Sequence, residues 1–408
     1  MKTLIEFFDA NPIENVNALL RYNPDKVVFV GFKNIMNNGR KRALDRFLNI
    51  RLGDNKPDIE FVDDILSYDF DGIVYRLEQI VDSNEDCCFD ITGGKESVLA
   101  AAGIIAERKN IPMFQFNINS GNLFRLKACT DLPDTKTPEL SIRECIVLNG
   151  GEIIKDEPDD YDWNFQNGFK KDIEYMWSIC LNNPWNWNRQ MAAFENFVKY
   201  GSLSEDYVVS VDREHLRNQG HEHCIIKPII NNLLKRGLIL DYSLSDDDKL
   251  TFRFKNKQTF MCLTKAGNIL ELYTYSLLRE IEEENPGCYD DIDVGVYVDW
   301  DGEIESDNSA PNIMNEIDII LMKDEVPVFI SCKNGLVKRD ALYELNTMAQ
   351  HFGNKNSKKI LIAVNGDEDS GNETYLFKRA NDMGILPVGK EDMVNKEKFK
   401  NKLRKITR

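Results

Sequence analysis

A chain of 408 residues with 42% hydrophobic side chains is long enough for two cores and a connector. Its net charge of −17 excludes broad, charge-driven binding to nucleic acid, while leaving room for a local phosphate site that carries its own cation. No apolar run reaches bilayer length, no charged-then-apolar leader opens the chain, and nine scattered cysteines form no CxxC pair, so a cytoplasmic protein with reduced thiols and no membrane contact is expected.

In chain order, the first 150 residues alternate strand-like and helix-like segments. A short helix ends near Tyr22-Asn23-Pro24, and Val27-Val28-Phe29-Val30-Gly31 reads as a buried strand closed by glycine. Lys41 to Leu52 is helical, Ile59 to Val62 a strand, Tyr68 to Val81 a helix and Cys87 to Ile91 a strand. Ser97 to Arg108 is helical, and Met113 to Asn117 is again a strand. Alternating β and α units predict a parallel sheet whose ligands sit at the carboxyl ends of its strands. Residues 151–263 read as a connector, rich in Asp, Asn and Trp up to about residue 205. Within it, a helix from Ile225 to Arg236, Gly237 and strand-like Thr251 to Phe254 suit a winged-helix-like module. His221 and His223 in this stretch are read as surface residues. Residues 264–408 form a third stretch, with an amphipathic helix opening at Gly267 to Tyr273 and a fully buried strand at Lys359 to Val364.

Chemistry concentrates on one predicted hairpin. Asn315-Glu316-Ile317-Asp318-Ile319-Ile320-Leu321 and Pro327-Val328-Phe329-Ile330-Ser331-Cys332-Lys333 turn back near Lys323-Asp324-Glu325. Alternation puts Glu316 with Asp318 on one face, and Ser331 with Lys333 likewise. Ile317, Ile319, Val328, Ile330 and Cys332 then fill the core face. Antiparallel register sets Asp318 near Ser331 and Glu316 near Lys333. Carboxylates that hold a hard divalent cation, beside a lysine that stabilises phosphate charge, are the parts of a metal-dependent phosphodiesterase.

A second feature is Asp90-Ile91-Thr92-Gly93-Gly94-Lys95-Glu96-Ser97, between a strand and a helix. Small residues let backbone N–H groups approach a phosphate at the helix start. The spacing is not that of a P-loop, since Glu96 stands where a Ser or Thr would bind Mg²⁺. For the glycines alone, a tight strand-to-helix turn is the favoured reading.

The hairpin resembles the PD-(D/E)xK nuclease core, with Glu271 where such nucleases often carry a helical carboxylate. It departs from that pattern at Ser331, where a carboxylate is expected. The resemblance leaves the missing charge to Glu316 or to Glu344 on the next helix. Val30-Gly31 and the glycine turn together resemble a CRISPR-associated Rossmann fold (CARF) domain. In this order the two are similar to ancillary nucleases of type III CRISPR systems activated by cyclic tetra-adenylate. The resemblance implies an α/β fold: a Rossmann-like CARF domain over 1–150, a connector with a winged-helix-like module over 151–263 and a PD-(D/E)xK restriction-endonuclease-like domain over 264–408. It implies a homodimer that binds the cyclic ligand across its two-fold axis and hydrolyses single-stranded DNA or RNA with Mn²⁺ or Mg²⁺. Catalytic and metal-site residues would be Asp318, Lys333, Glu316, Ser331, Glu271 and Glu344. Ligand-binding residues would be Gly31, Phe32, Lys33, Thr92, Gly93, Gly94, Lys95, Gln115, Asn117 and Asn119. The alternative is a cyclic-oligoadenylate-responsive, nucleic-acid-binding regulator with a degenerate nuclease domain.

Overall fold

The computed structural model describes residues 1–118, 121–127, 137–154, 168–221, 223–302, 314–365 and 372–407. Asn119 lies outside them.

The N-terminal sheet contains β1 (Thr3–Phe7), β2 (Lys26–Val30), β3 (Asp58–Val62), β4 (Cys87–Asp90), β5 (Met113–Asn117) and β6 (Asn122–Lys127). Its order is β3-β2-β1-β4-β5-β6, parallel except for β6 at the edge. The alternation of strands and helices expected from sequence is present, with helices at Asn38–Leu52, Phe70–Asp82 and Glu96–Lys109. The central strand β1 had no sequence signal. All five of its residues are buried, two of them polar, Thr3 and Glu6, so it shows no period-2 alternation. Strand order reverses between β1 and β4, which places the switch point at Phe7-Phe8-Asp9 and at the glycine turn after Asp90.

A short strand β7 (Glu152–Ile153) follows, then helices Phe169–Asn182 and Pro184–Tyr200. An antiparallel four-stranded sheet comes next: β8 (Ser202–Leu203), β9 (Val208–Asp212), β10 (Ile239–Leu244) and β11 (Lys249–Phe254), in the order β10-β11-β9-β8. Helices Arg213–Asn218 and Lys227–Lys235 lie between β9 and β10.

The C-terminal sheet contains β12 (Asp291–Asp299), β13 (Met314–Lys323), β14 (Val326–Leu336), β15 (Lys358–Asn365) and β16 (Ile385–Val388). Its order is β16-β15-β14-β13-β12-β7, so a two-residue strand from the start of the connector closes its edge. The β13–β14 hairpin turns where expected, and Lys323 pairs with Val326. The single core face expected for Ile317 and Ile319 is not observed. Ile319 joins the core with Val328, Ile330 and Cys332, whereas Ile317 joins the opposite core with Val296 and Val298. Their partners on β12 are Val294 and Val296, and Gly295 between them has a φ of 64°. That left-handed residue breaks the alternation of faces.

Two cores span the lobes. One combines the connector helices, through Trp177, Trp187 and Phe194, with helix Asn268–Glu284 and one face of the C-terminal sheet. The other combines β1, β2 and helix Ile142–Leu148 with the opposite face of that sheet and helix Arg339–Phe352.

Candidate active site

Helix Asn268–Glu284 buries Ile269, Leu270, Tyr273, Leu277 and Ile281, an apolar stripe at helical spacing. Packing that stripe on the sheet brings Glu271, in its first turn, beside the hairpin. Asp318 is the centre of the cluster. Its Oδ2 accepts from the Ser331 hydroxyl at 3.2 Å, the Cys332 backbone N–H at 2.7 Å and the Lys333 ammonium at 3.1 Å. Three donors on one oxygen fix the carboxylate's orientation, and the second oxygen, Oδ1, is not used by that set.

Electrostatics tie the neighbours together. Burial, then the charges of Asp318 and Glu316, push the Glu271 carboxyl well above the usual carboxylate range, with Lys333 and Lys265 acting the other way. Burial pulls Lys333 down, but the Asp318 carboxylate outweighs it, so the ammonium sits above its ordinary value. Glu316 is exposed at the rim, opposite Tyr297 on β12. The structure thus gathers Glu271, Asp318, Ser331 and Lys333, with Glu316 at the edge.

Glu344 lies elsewhere. It is exposed on helix Arg339–Phe352 and lines a cavity of about 470 Å³ with Trp300, Asn315, Asp340 and Thr347. Sequence reasoning also missed Asn334, which follows Lys333 and is 4% exposed. Its side-chain amide donates to Asn188 Oδ1 at 3.0 Å and to the Ala266 carbonyl at 3.3 Å, while its own carbonyl accepts from Asn188 Nδ2 at 2.8 Å. The connector helix Pro184–Tyr200 therefore clamps β14 one residue past the lysine. The only sequence signal was a polar residue at an inward position of a strand.

Among the described residues, no group of three His, Cys, Asp or Glu side chains forms a ready-made metal cage. The donor chemistry nonetheless fits a hard divalent cation, because a buried carboxyl is raised by two neighbouring carboxylates and a bound cation would relieve that repulsion.

Residues 260–406 match the Card1-like endonuclease domain family. The Card1-like region begins in helix Lys257–Thr264 and takes in Glu271, the hairpin and the last helix, Lys396–Thr407. Over the whole chain the fold is that of protein VC1899 from Vibrio cholerae, with TM-score 0.72 and 16% identity, covering 99% of this chain and 97% of that one. Can2 from Sulfobacillus thermosulfidooxidans, solved in complex with cyclic tetra-adenylate, has the same fold, with TM-score 0.67, 14% identity and coverage of 99% and 97%. No curated protein matches the chain by sequence.

In the N-terminal lobe, the residues expected to meet a ligand lie toward the carboxyl ends of the strands. Lys33, Lys95, Gln115 and Asn117 are exposed there, and Phe32 is half-buried. Gly31 is packed closely, since a Cβ would lie 3.0 Å from that of Phe8. Thr92 is anchored from below: its N–H and hydroxyl donate to Asp90 Oδ1 at 2.9 and 2.5 Å, and its hydroxyl accepts from the Phe116 N–H at 2.8 Å. Gly93 and Gly94 turn inward. A Cβ on Gly94 would lie 2.6 Å from that of Phe7, its φ is 103°, and its N–H donates to Asp9 Oδ2 at 3.1 Å. Asp90 also abuts Glu6. Burial, together with Asp90, raises Glu6 well above its ordinary range, and burial raises Asp90 to about 6.

Proposed function

We propose that this chain is a nuclease activated by cyclic tetra-adenylate in type III CRISPR defence, hydrolysing phosphodiester bonds of single-stranded DNA or RNA with Mn²⁺ or Mg²⁺. The observation that carries the reading is the Asp318 carboxylate, held by three donors from β14 beside Glu271, inside a Card1-like endonuclease region. The cyclic tetra-adenylate bound to Can2, whose fold this chain shares from end to end, supports the choice of activator. The three domains run over 1–150, 151–263 and 264–408, and the active species is a cytoplasmic homodimer.

Glu271, Asp318 and Glu316 would hold the cation, which when bound supplies Lewis-acid stabilisation of phosphate charge and a more acidic water. Lys333 keeps its positive charge across the working pH range and offers it to a phosphate oxygen or an attacking water. Ser331 and the Cys332 N–H keep Asp318 from rotating. In the N-terminal lobe, Lys33, Lys95, Thr92, Gln115 and Asn117 supply neutral and cationic donors to an anionic ring, with Asn119 in the same role.

The test is a matrix of circular single-stranded DNA and RNA, incubated with Mn²⁺, Mg²⁺ or chelator, and with cyclic tetra-adenylate, cyclic hexa-adenylate or neither. Cleavage that needs both a cation and cyclic tetra-adenylate is expected. Full cleavage without activator, or with chelator present, overturns the reading.

A further inference from the structure

The tip of the catalytic hairpin is not free in solvent. Its turn residues, Asp324 and Glu325, both have positive φ, 48° and 66°, as a tight two-residue hairpin turn requires. Such backbone is uncommon for a glutamate and carries a strain cost. Glu325 is moreover only 1% exposed. Its side chain enters the N-terminal lobe, where both carboxylate oxygens lie 2.6 Å from Asn17 Nδ2. Its carbonyl accepts from Asn354 Nδ2 at 2.9 Å, and the Asp324 N–H donates to Asp290 Oδ2 at 2.8 Å. Burial lifts the Glu325 carboxyl to about 8, against the pull of Arg21 and Asn17.

Arg21 extends the cluster. It shares helix Asn17–Tyr22 with Asn17, lies over the Phe116 ring at 4.3 Å, and donates to the Gly121 carbonyl and the Thr137 hydroxyl. It interacts electrostatically with both Glu325 and Asp90. Asp90 in turn holds Thr92. Phe116, under the Arg21 guanidinium, donates its N–H to the Thr92 hydroxyl at 2.8 Å, so contacts through the helix of Asn17 and Arg21 join the underside of the glycine turn to the hairpin tip. An apolar residue of similar size would cap that tip without the cost of a buried carboxyl. A carboxyl that is buried, strained and matched to one amide of the other lobe fixes position.

We propose that Glu325 is a positioning residue: through Asn17 it pins the hairpin that carries Asp318 and Lys333 to the N-terminal lobe, and it relays the state of the glycine turn to that hairpin. Five residue steps of β13 run from Asp318 to Lys323, where the turn begins, about 17 Å at ~3.3 Å per residue. Two paired strands cover that span as one ribbon, so a displaced tip moves the site as a body. The relay rests on the activator reading given above, whereas the pinning does not.

The experiment compares Glu325→Leu, Glu325→Gln and Asn17→Ala with wild type in the full chain. Amide hydrogen exchange over residues 314–336, calorimetric binding of cyclic tetra-adenylate, and cleavage with and without that ligand are measured. Gln suits the site because Asn17 Oδ1 is buried with no partner among the described residues, so two amides can bond reciprocally. Glu325→Leu and Asn17→Ala should bind the ligand within about twofold of wild type, exchange faster in the hairpin, and lose about tenfold in the ratio of activated to basal rate. Glu325→Gln should keep both properties. Should Glu325→Leu not fold, Asn17→Ala against Glu325→Gln decides. Wild-type hairpin exchange and an unchanged rate ratio in Asn17→Ala overturn the proposal. A wild-type chain indifferent to cyclic tetra-adenylate overturns the activator reading and the relay with it. Hydrogen exchange alone then decides whether Glu325 pins the hairpin.

Discussion

Asp318→Asn separates a chemical role from a structural one. The substitution keeps the shape of the side chain and lets its carbonyl accept from Ser331 and the Cys332 N–H. What is lost is the charged bond to Lys333, nominally about 1.5–3 kcal/mol for a hydrogen bond to a charged group. The Lys333 side chain is 35% exposed, and screening reduces that to about 1 kcal/mol. Part of this loss returns, because Glu271 no longer faces an adjacent carboxylate. The melting temperature of a chain this long should therefore fall by only about 1–3 °C. Cleavage is another matter. An amide is a poor ligand for a hard cation, and a loss of about 4 kcal/mol in transition-state stabilisation is about a thousandfold in rate. The assay is single-turnover cleavage of labelled single-stranded substrate with Mn²⁺ and saturating cyclic tetra-adenylate, alongside a thermal melt. Cleavage within tenfold of wild type in a folded variant refutes the assignment of Asp318 as a metal ligand. A fall of more than about 10 °C in melting temperature refutes the energetic reasoning, since the carboxylate would then be a structural keystone.

The remaining predictions use other parts of the chain. Ser331→Ala removes one of three donors to Asp318 and should cost about tenfold or less in rate, in line with about 1 kcal/mol for a neutral hydrogen bond; a dead but folded variant would give the hydroxyl a direct role. Lys95→Ala should raise the activator concentration for half-maximal cleavage and leave the saturated rate unchanged, and an unshifted activation curve removes Lys95 from the ligand site. Gly94→Ala forces a side chain onto Phe7 in left-handed backbone and should lower stability by roughly 1–3 kcal/mol in a denaturant titration; a neutral result would mean that the turn relaxes freely. Glu325 is raised when folded, from 4.5 to about 8, so the folded state holds its proton more tightly and stability falls as pH climbs across that window. Glu325→Gln should flatten this fall, worth a few kcal/mol at most, and an unchanged pH–stability curve would show that the carboxyl titrates as it does unfolded.

What was legible in the sequence was local. Period-2 alternation and the turn at Asp324-Glu325 set the hairpin register, and that register placed Asp318 against Ser331; it paired Lys333 with Glu316, whereas the lysine in fact bonds Asp318 and Glu316 stays exposed. The βα alternation was readable because each strand is a short apolar run between helical patterns. The rest depends on contacts distant in sequence. β1 was missed because a central strand buried on both faces, with Glu6 inside it, shows no alternation. Gly93 and Gly94 read, for the glycines alone, as a tight strand-to-helix turn, and close approach of Phe7 and Asp9 is what requires them there. Nothing local tells Glu344 from Glu271, because both sit on amphipathic helices. Only the packing of those helices on opposite faces of the sheet puts one beside Asp318 and the other over Asn315 and Trp300.

The edge strand β7 has a practical consequence. Glu152 and Ile153 pair with Asp299 and Val298, and the helix before them, Ile142–Leu148, packs on the same strands. The chain thus supplies part of its C-terminal lobe more than a hundred residues before the rest arrives. A fragment cut at residue 264 would lack that strand and helix, and would expose Val296, Val298 and Ile317 to water along an unpaired β12 edge. Such a fragment is a candidate for edge-to-edge aggregation rather than a free-standing nuclease. In the intact chain, unfolding either lobe strips apolar cover from the other, so heat should melt both in a single cooperative transition.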